Sequence, residues 1–178
     1  MKKIKNLSLV FAMIVAATVS SCSKDDDNGG GLSTPAGGFI QAKIDGATFQ
    51  ATGAYVIAQY DSGSFQIAGV KTDGTTLNVN VGTGATGLEA GKTYNLSSTN
   101  DPSSSNYFGS MYYAIISGGT ADTYNSAACD NTEGTLKITS VTATQIEGTF
   151  SYKGKKVSDD CSGGVKNVTE GSFRALLD

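Results

Sequence analysis

From Phe39 onward, apolar side chains recur at every second position in short runs, and turn signals break the runs at intervals of about 8–12 residues. No other feature of the chain constrains its fold as tightly. Successive side chains of a strand point to opposite faces, so alternation lays one face against a core and leaves the other to solvent. Helical periodicity is almost absent over the same stretch. The clearest unit is residues 39–44, Asp45-Gly46, and residues 47–51. Asp-Gly between two alternating runs predicts a two-residue hairpin, because that turn needs positive φ at both central positions.

The same grammar continues along the chain. Runs at 54–60 and 64–71 flank Asp61-Ser62-Gly63, and Thr72-Asp73-Gly74 turns the chain into 75–81, so the first half reads as a meander. Further strands are expected at 92–97, 107–116, 134–143, 145–152 and 165–177, with Phe173, Ala175 and Leu177 on one face. Residues 82–91, 100–106, 118–131 and 153–164 read as connections, with Lys153-Gly154-Lys155-Lys156 at an exposed hairpin tip. Gly82, Gly84 and Gly87 formally match the spacing of a dinucleotide loop. That loop opens a helix inside a βαβ unit, and no helical pattern follows here, so the segment reads as a β-connection. The expected fold is all-β: a single antiparallel β-sandwich or flattened β-barrel of about nine or ten strands, since a sheet of that width curls to bury its apolar face and hide its edges.

Ahead of this domain, Lys2, Lys3 and Lys5 precede an uncharged apolar run from Leu7 to Val19. Basic, apolar, then small is the order of an export signal. About 13 helical residues span roughly 20 Å, short of a hydrocarbon core of about 30 Å, which favours a cleaved signal over a permanent span. Val19-Ser20-Ser21-Cys22 resembles the lipobox of bacterial lipoproteins. The resemblance implies a signal peptide at 1–21 and a diacylglyceryl group on the Cys22 sulfur, holding the protein to a membrane; two acyl chains anchor stably where one is marginal. Residues 22–37 then form a tether, because three aspartates and a run of glycines bury no apolar area. The acidic run after Cys22 resembles the surface-export signal of Bacteroidota lipoproteins, which implies the outer face of the outer membrane. The alternative is a plain spacer on the periplasmic face. Residues 38–178 remain as one folded domain.

Removing Lys2, Lys3 and Lys5 from the 13 basic residues leaves 10 against 16 acidic ones, a formal charge of −6. That surface argues against nucleic acid partners and against charge-driven binding to anionic lipid. The chain has no His, which removes the commonest general base and metal ligand, and no Trp, which makes a sugar-stacking surface harder to build. With Cys22 assigned to the anchor, Cys129 and Cys161 remain as an even pair in an oxidising compartment. A disulfide between two polar loops is expected, with two free thiols as the alternative.

Two ends of the domain carry further words. Phe39, Ala42-Lys43-Ile44-Asp45-Gly46 and Phe49 open it. Gly134-Thr135-Leu136, Ile138-Thr139, Ile146, Gly148-Thr149-Phe150-Ser151-Tyr152, Gly171 and Phe173 close it. Together they resemble small Bacteroidota lipoproteins grouped as a domain of unknown function, DUF6252-like, over most of residues 38–177. The resemblance implies an antiparallel β fold and brings no catalytic or binding residues with it.

Candidate sites are few. Alternation sends Tyr107, Met111 and Tyr113 to one face of their strand and Phe108 and Tyr112 to the other. One set packs in the core; the other is expected to pack across strands, with a stacking surface for a sugar or peptide as the sharper reading, for which Tyr107, Tyr112 and Tyr113 are the candidate ligand residues. Asp130, Asp159 and Asp160 flank the two cysteines and read as solvated loop acids, with a Ca²⁺ site as the sharper reading. No nucleophile has a base beside it in sequence, and no cofactor or catalytic residue is assigned. A carboxylate-pair hydrolase is a third possibility, since Asp and Glu pairs form only in space. The expected role is a lipid-anchored, non-catalytic envelope protein that binds a small molecule, glycan or protein partner. A structural or shielding envelope lipoprotein is the alternative.

Overall fold

The computed structural model describes residues 32–130, 132–157 and 161–177. Within them, eleven strands form one open antiparallel sheet. They are β1 (Phe39–Ile44), β2 (Ala47–Thr52), β3 (Val56–Asp61), β4 (Ser64–Val70), β5 (Thr76–Gly82), β6 (Thr93–Asn95), β7 (Phe108–Ser117), β8 (Thr120–Asn125), β9 (Glu133–Val141), β10 (Gln145–Lys156) and β11 (Val165–Leu176). The order is β2-β1-β11-β10-β8-β7-β5-β4-β3, with β9 on β10 and β6 on β9.

Strand β10 is the branch point. Its residues Ile146 to Lys153 pair with β9, while Lys155 and Lys156 pair with Asn125 and Tyr124 of β8. The sheet therefore folds over into two layers joined at that corner, one of β2, β1, β11, β10, β9 and β6, the other of β8, β7, β5, β4 and β3. Side chains from the two layers meet inside: Phe65 of β4 stacks on Phe173 of β11 at 5.5 Å, and Phe49 of β2 meets Tyr113 of β7 edge-on at 6.3 Å. The layers are pressed so close at β4 that a Cβ on Gly69 would lie 2.4 Å from Ile40 Cγ2. This matches the expected sandwich or flattened barrel, left open between β2 and β3.

The turn chemistry is as read. Asp45 and Gly46 both have positive φ, as do Ser62 and Gly63, so both two-residue hairpins turn in the left-handed region. Segment 82–91 holds one short 3-10 turn and runs into β6, with no helix in it. A disulfide joins Cys129 to Cys161, tying the β8–β9 connection to the β10–β11 connection.

Two expectations are corrected. Residues 118–131 are not one long loop, because β8 occupies Thr120–Asn125 between β7 and β10. Its sequence shows no alternation; the strand forms because neighbours on both sides satisfy its backbone. Nor do Lys153, Lys155 and Lys156 form a hairpin tip. They lie in the last turn-free stretch of β10, where Tyr152 and Gly154 face inward, Lys153 pairs with Glu133 at 3.6 Å and Lys156 with Asp122 at 2.7 Å. Cys22, the rest of residues 1–31, Asp159 and Asp160 lie outside the described residues.

Candidate functional site

The three tyrosines do not share a surface. Tyr113 follows Met111, which is fully buried, onto the inner face of β7, and its ring lies 6.5 Å from that of Tyr124. Tyr107, just before β7, packs edge-on against buried Tyr94 at 5.1 Å, and its hydroxyl accepts the Asn95 N–H at 3.0 Å. Tyr112 points the other way, directly opposite Asn78 of β5 and Asn125 of β8. A strand's period of two allows nothing else.

Around Tyr113, one end of the domain gathers charge. The Asp45 carboxylate in the β1–β2 turn accepts from Lys166 Nζ at 2.8 Å and from the Asn167 N–H at 2.9 Å. The Lys166 ammonium beside it, then the Asn167 N–H, hold the Asp45 carboxyl below the usual carboxylate range. Lys166 also sits 5.8 Å from the Tyr124 ring, and Lys71 sits 4.9 Å from the Phe49 ring. Asp73 accepts the Thr75 N–H at 2.8 Å, which lowers its pKa. Both carboxylates are thus committed to local hydrogen bonds that favour their charged form, and neither is poised as a base near neutral pH.

A cleft of about 420 Å³ beside β6 is lined by Asn95, Ser97, Thr132 and Glu133. Its two buried hydroxyls, those of Ser97 and Thr132, are spent inside the protein. Ser97 Oγ donates to Asn95 Oδ1 at 2.6 Å, and Thr132 Oγ1 donates to the Ser126 carbonyl at 2.6 Å. The apolar lining that holds small organic ligands is missing there.

Among the described residues, Tyr152 and Asn78 are the buried polar side chains that the fold leaves unsatisfied. Tyr152 is 4% exposed, and among the described residues its hydroxyl has no hydrogen-bond partner. Burial pushes its phenol well above the ordinary tyrosine range. Removing an unpaired buried hydroxyl relieves its desolvation cost, so Tyr152→Phe is expected to raise stability by about 1 kcal/mol at neutral pH. The phenol's raised pKa gives stability that is fully present below the unfolded value of about 10 and is lost as pH rises beyond it. The gain from Tyr152→Phe therefore grows above that pH. Thermal melts at pH 7 and at alkaline pH check this, and a lower melting temperature for the variant at both would refute it.

Among the described residues, no group of three or more Cys, Asp or Glu side chains is arranged to hold a metal ion. A family model described as a domain of unknown function, DUF6252, matches residues 36–176. The chain belongs to this family. The DUF6252 match begins just before β1 and ends at the last residue of β11, so it covers the whole β domain and none of the leader. No curated protein and no solved structure matches the chain.

Proposed function

We propose that this chain is a lipid-anchored lipoprotein of the cell envelope, displayed on the outer membrane surface, whose DUF6252 domain is a non-catalytic binding module working through an open face. The packed interior carries this reading. Tyr94, Phe49, Phe65, Phe173, Met111 and Leu136 are all 2% exposed or less and fill the space between the layers. Ligand capture in a lumen needs that space free, so recognition on the outside is the better fit. The anchor reading rests on Val19-Ser20-Ser21-Cys22 and on the acidic tether behind it. The structural or shielding role stays as a second reading, favoured by the same filled core and by how many surface charges are already paired, among them Lys43–Glu170 and Arg174–Glu147.

Growth with radiolabelled palmitate tests the anchor. The wild-type chain should take up label and sediment with membranes, and Cys22→Ser should do neither. Protease treatment of intact cells should then release the domain. An unlabelled wild type would end the lipoprotein reading, and a domain protected until lysis would end the surface one.

A further inference from the structure

The two outer faces of the sandwich differ in kind. On the layer containing β1, β10 and β11, the outer face is charged: Lys43 pairs with Glu170 and Arg174 with Glu147, Lys137 and Lys153 stand exposed, and Gln50 Nε2 donates to Gln41 Oε1 at 2.8 Å and Gln41 Nε2 to Ser172 Oγ at 3.2 Å. The other layer is the reverse. On β3, β4, β5, β7 and β8, the inward positions are set by Leu77, Val79, Val81, Phe65, Ile67 and Met111, all in the core. Among the outward positions that remain, the only charge is Asp61, at a corner.

That neutral face is mixed, with exposed Ile57, Phe108 and Ile116 among its polar groups. Gln59, Gln66, Asn80 and Ser110 stand directly opposite one another on four successive strands. Among the described residues none of these four side chains makes a hydrogen bond. They form a row of unused amides and a hydroxyl with a step of about 4.8 Å, the spacing between strands. On the far side, Phe108 is 60% exposed and its ring lies flat across Gly82, where a Cβ would meet Phe108 Cζ at 2.5 Å. Only glycine opposite lets the ring lie down on the sheet instead of standing off it.

We propose that this outer face of β3, β4, β5, β7 and β8 binds a neutral polysaccharide, which deepens the open-face reading above by naming its ligand class. Carboxamides both donate and accept, as sugar hydroxyls do, so a row of them pairs with successive sugar units. The exposed ring of Phe108 takes the C–H face of one unit by stacking. A charge-free surface suits an uncharged polymer and offers nothing to an anionic one. A second copy of the chain fits less well. It would bury Gln59, Gln66 and Asn80 in a dry interface, where each amide left unpaired carries a desolvation penalty.

The test is affinity electrophoresis of the full chain in non-ionic detergent, through gels carrying a neutral glucan, mannan, xylan or galactan, with alginate as the anionic comparison. At least one neutral polymer should retard the protein and alginate should not. Phe108→Ala and Gln66→Ala should each weaken binding on the order of tenfold, equivalent to about 1.4 kcal/mol. Thr149→Ala, on the opposite face, should bind as wild type. Neither Phe108 nor Gln66 is buried, so both variants should melt at close to the wild-type temperature and folding is not in question. No retardation by any neutral polymer, equal retardation by alginate, or undiminished binding by both face variants would overturn the proposal. So would a concentration-dependent dimer in sedimentation that Phe108→Ala abolishes, which would make the face an interface between copies. Failure here leaves palmitate labelling and surface release untouched, so it is distinguishable from failure of the anchored, surface-displayed reading.

Discussion

Phe173→Ala is expected to lower stability by about 3–5 kcal/mol, the cost of removing a large aromatic side chain from a core that cannot close over the gap. The site cannot collapse because Phe173 is held from three sides. Its ring stacks on Phe65 at 5.5 Å, lies 6.4 Å from Phe150, and fills the space above Gly148, where a Cβ would sit 2.7 Å from Phe173 Cζ. Its stacking on Phe65 is also one of the contacts that span the two layers, so its loss loosens both. Urea denaturation should show a lower midpoint with an unchanged slope, the sign of lost stability without a change in the unfolded chain. A loss under about 1 kcal/mol would mean the interior repacks freely and is not the close-packed core described here.

The second large effect comes from the disulfide. Cys129 and Cys161 are separated by 32 residues, and closing a loop of that size contributes about 3–4 kcal/mol in the chain-entropy model. Cys161→Ala, or reduction of the wild type, should lower the melting temperature by roughly 10 °C for a domain of this size. The bond lies at the connections, away from Phe173, so the two losses should add within a few tenths of a kcal/mol. A reduced protein that melts with the oxidised one would show that the two connections are held together without the bond.

Reading fold from sequence worked where each strand carried its own pattern. Leu77, Val79 and Val81 announce an inner face by alternation, and Asp45-Gly46 announces its turn by the backbone angles it tolerates. Strand β8 carried no such pattern; the positions on its inner side are Thr120, Asp122 and Tyr124, two of them polar, and the strand exists because β7 and β10 supply its partners. Three lysines near Gly154 resemble turn composition, yet the inward positions between them, Tyr152 and Gly154, keep the period of β10 running. The cysteine pair was legible by parity, and the tyrosines only in part, since Tyr112 and its neighbour Tyr113 necessarily face opposite ways. The neutral face could not be read at all. Gln59, Gln66, Asn80 and Ser110 become a row only through the pairing of β3, β4, β5 and β7, and no local feature of any one strand marks it.

Strand β11 has a consequence in time as well as in space. Phe39, at the start of the domain, pairs with Arg174, almost at its end, and β10 pairs with the same strand on its other side. Such non-local pairing delays folding until the whole chain is present, and all-β domains of this kind fold in milliseconds to seconds instead of microseconds. Until Val165–Leu176 arrives, the growing chain holds β1 and β10 as two open edges with no strand between them. That is the interval in which aggregation or proteolysis competes with folding, and a chain shortened by its last strand never leaves it.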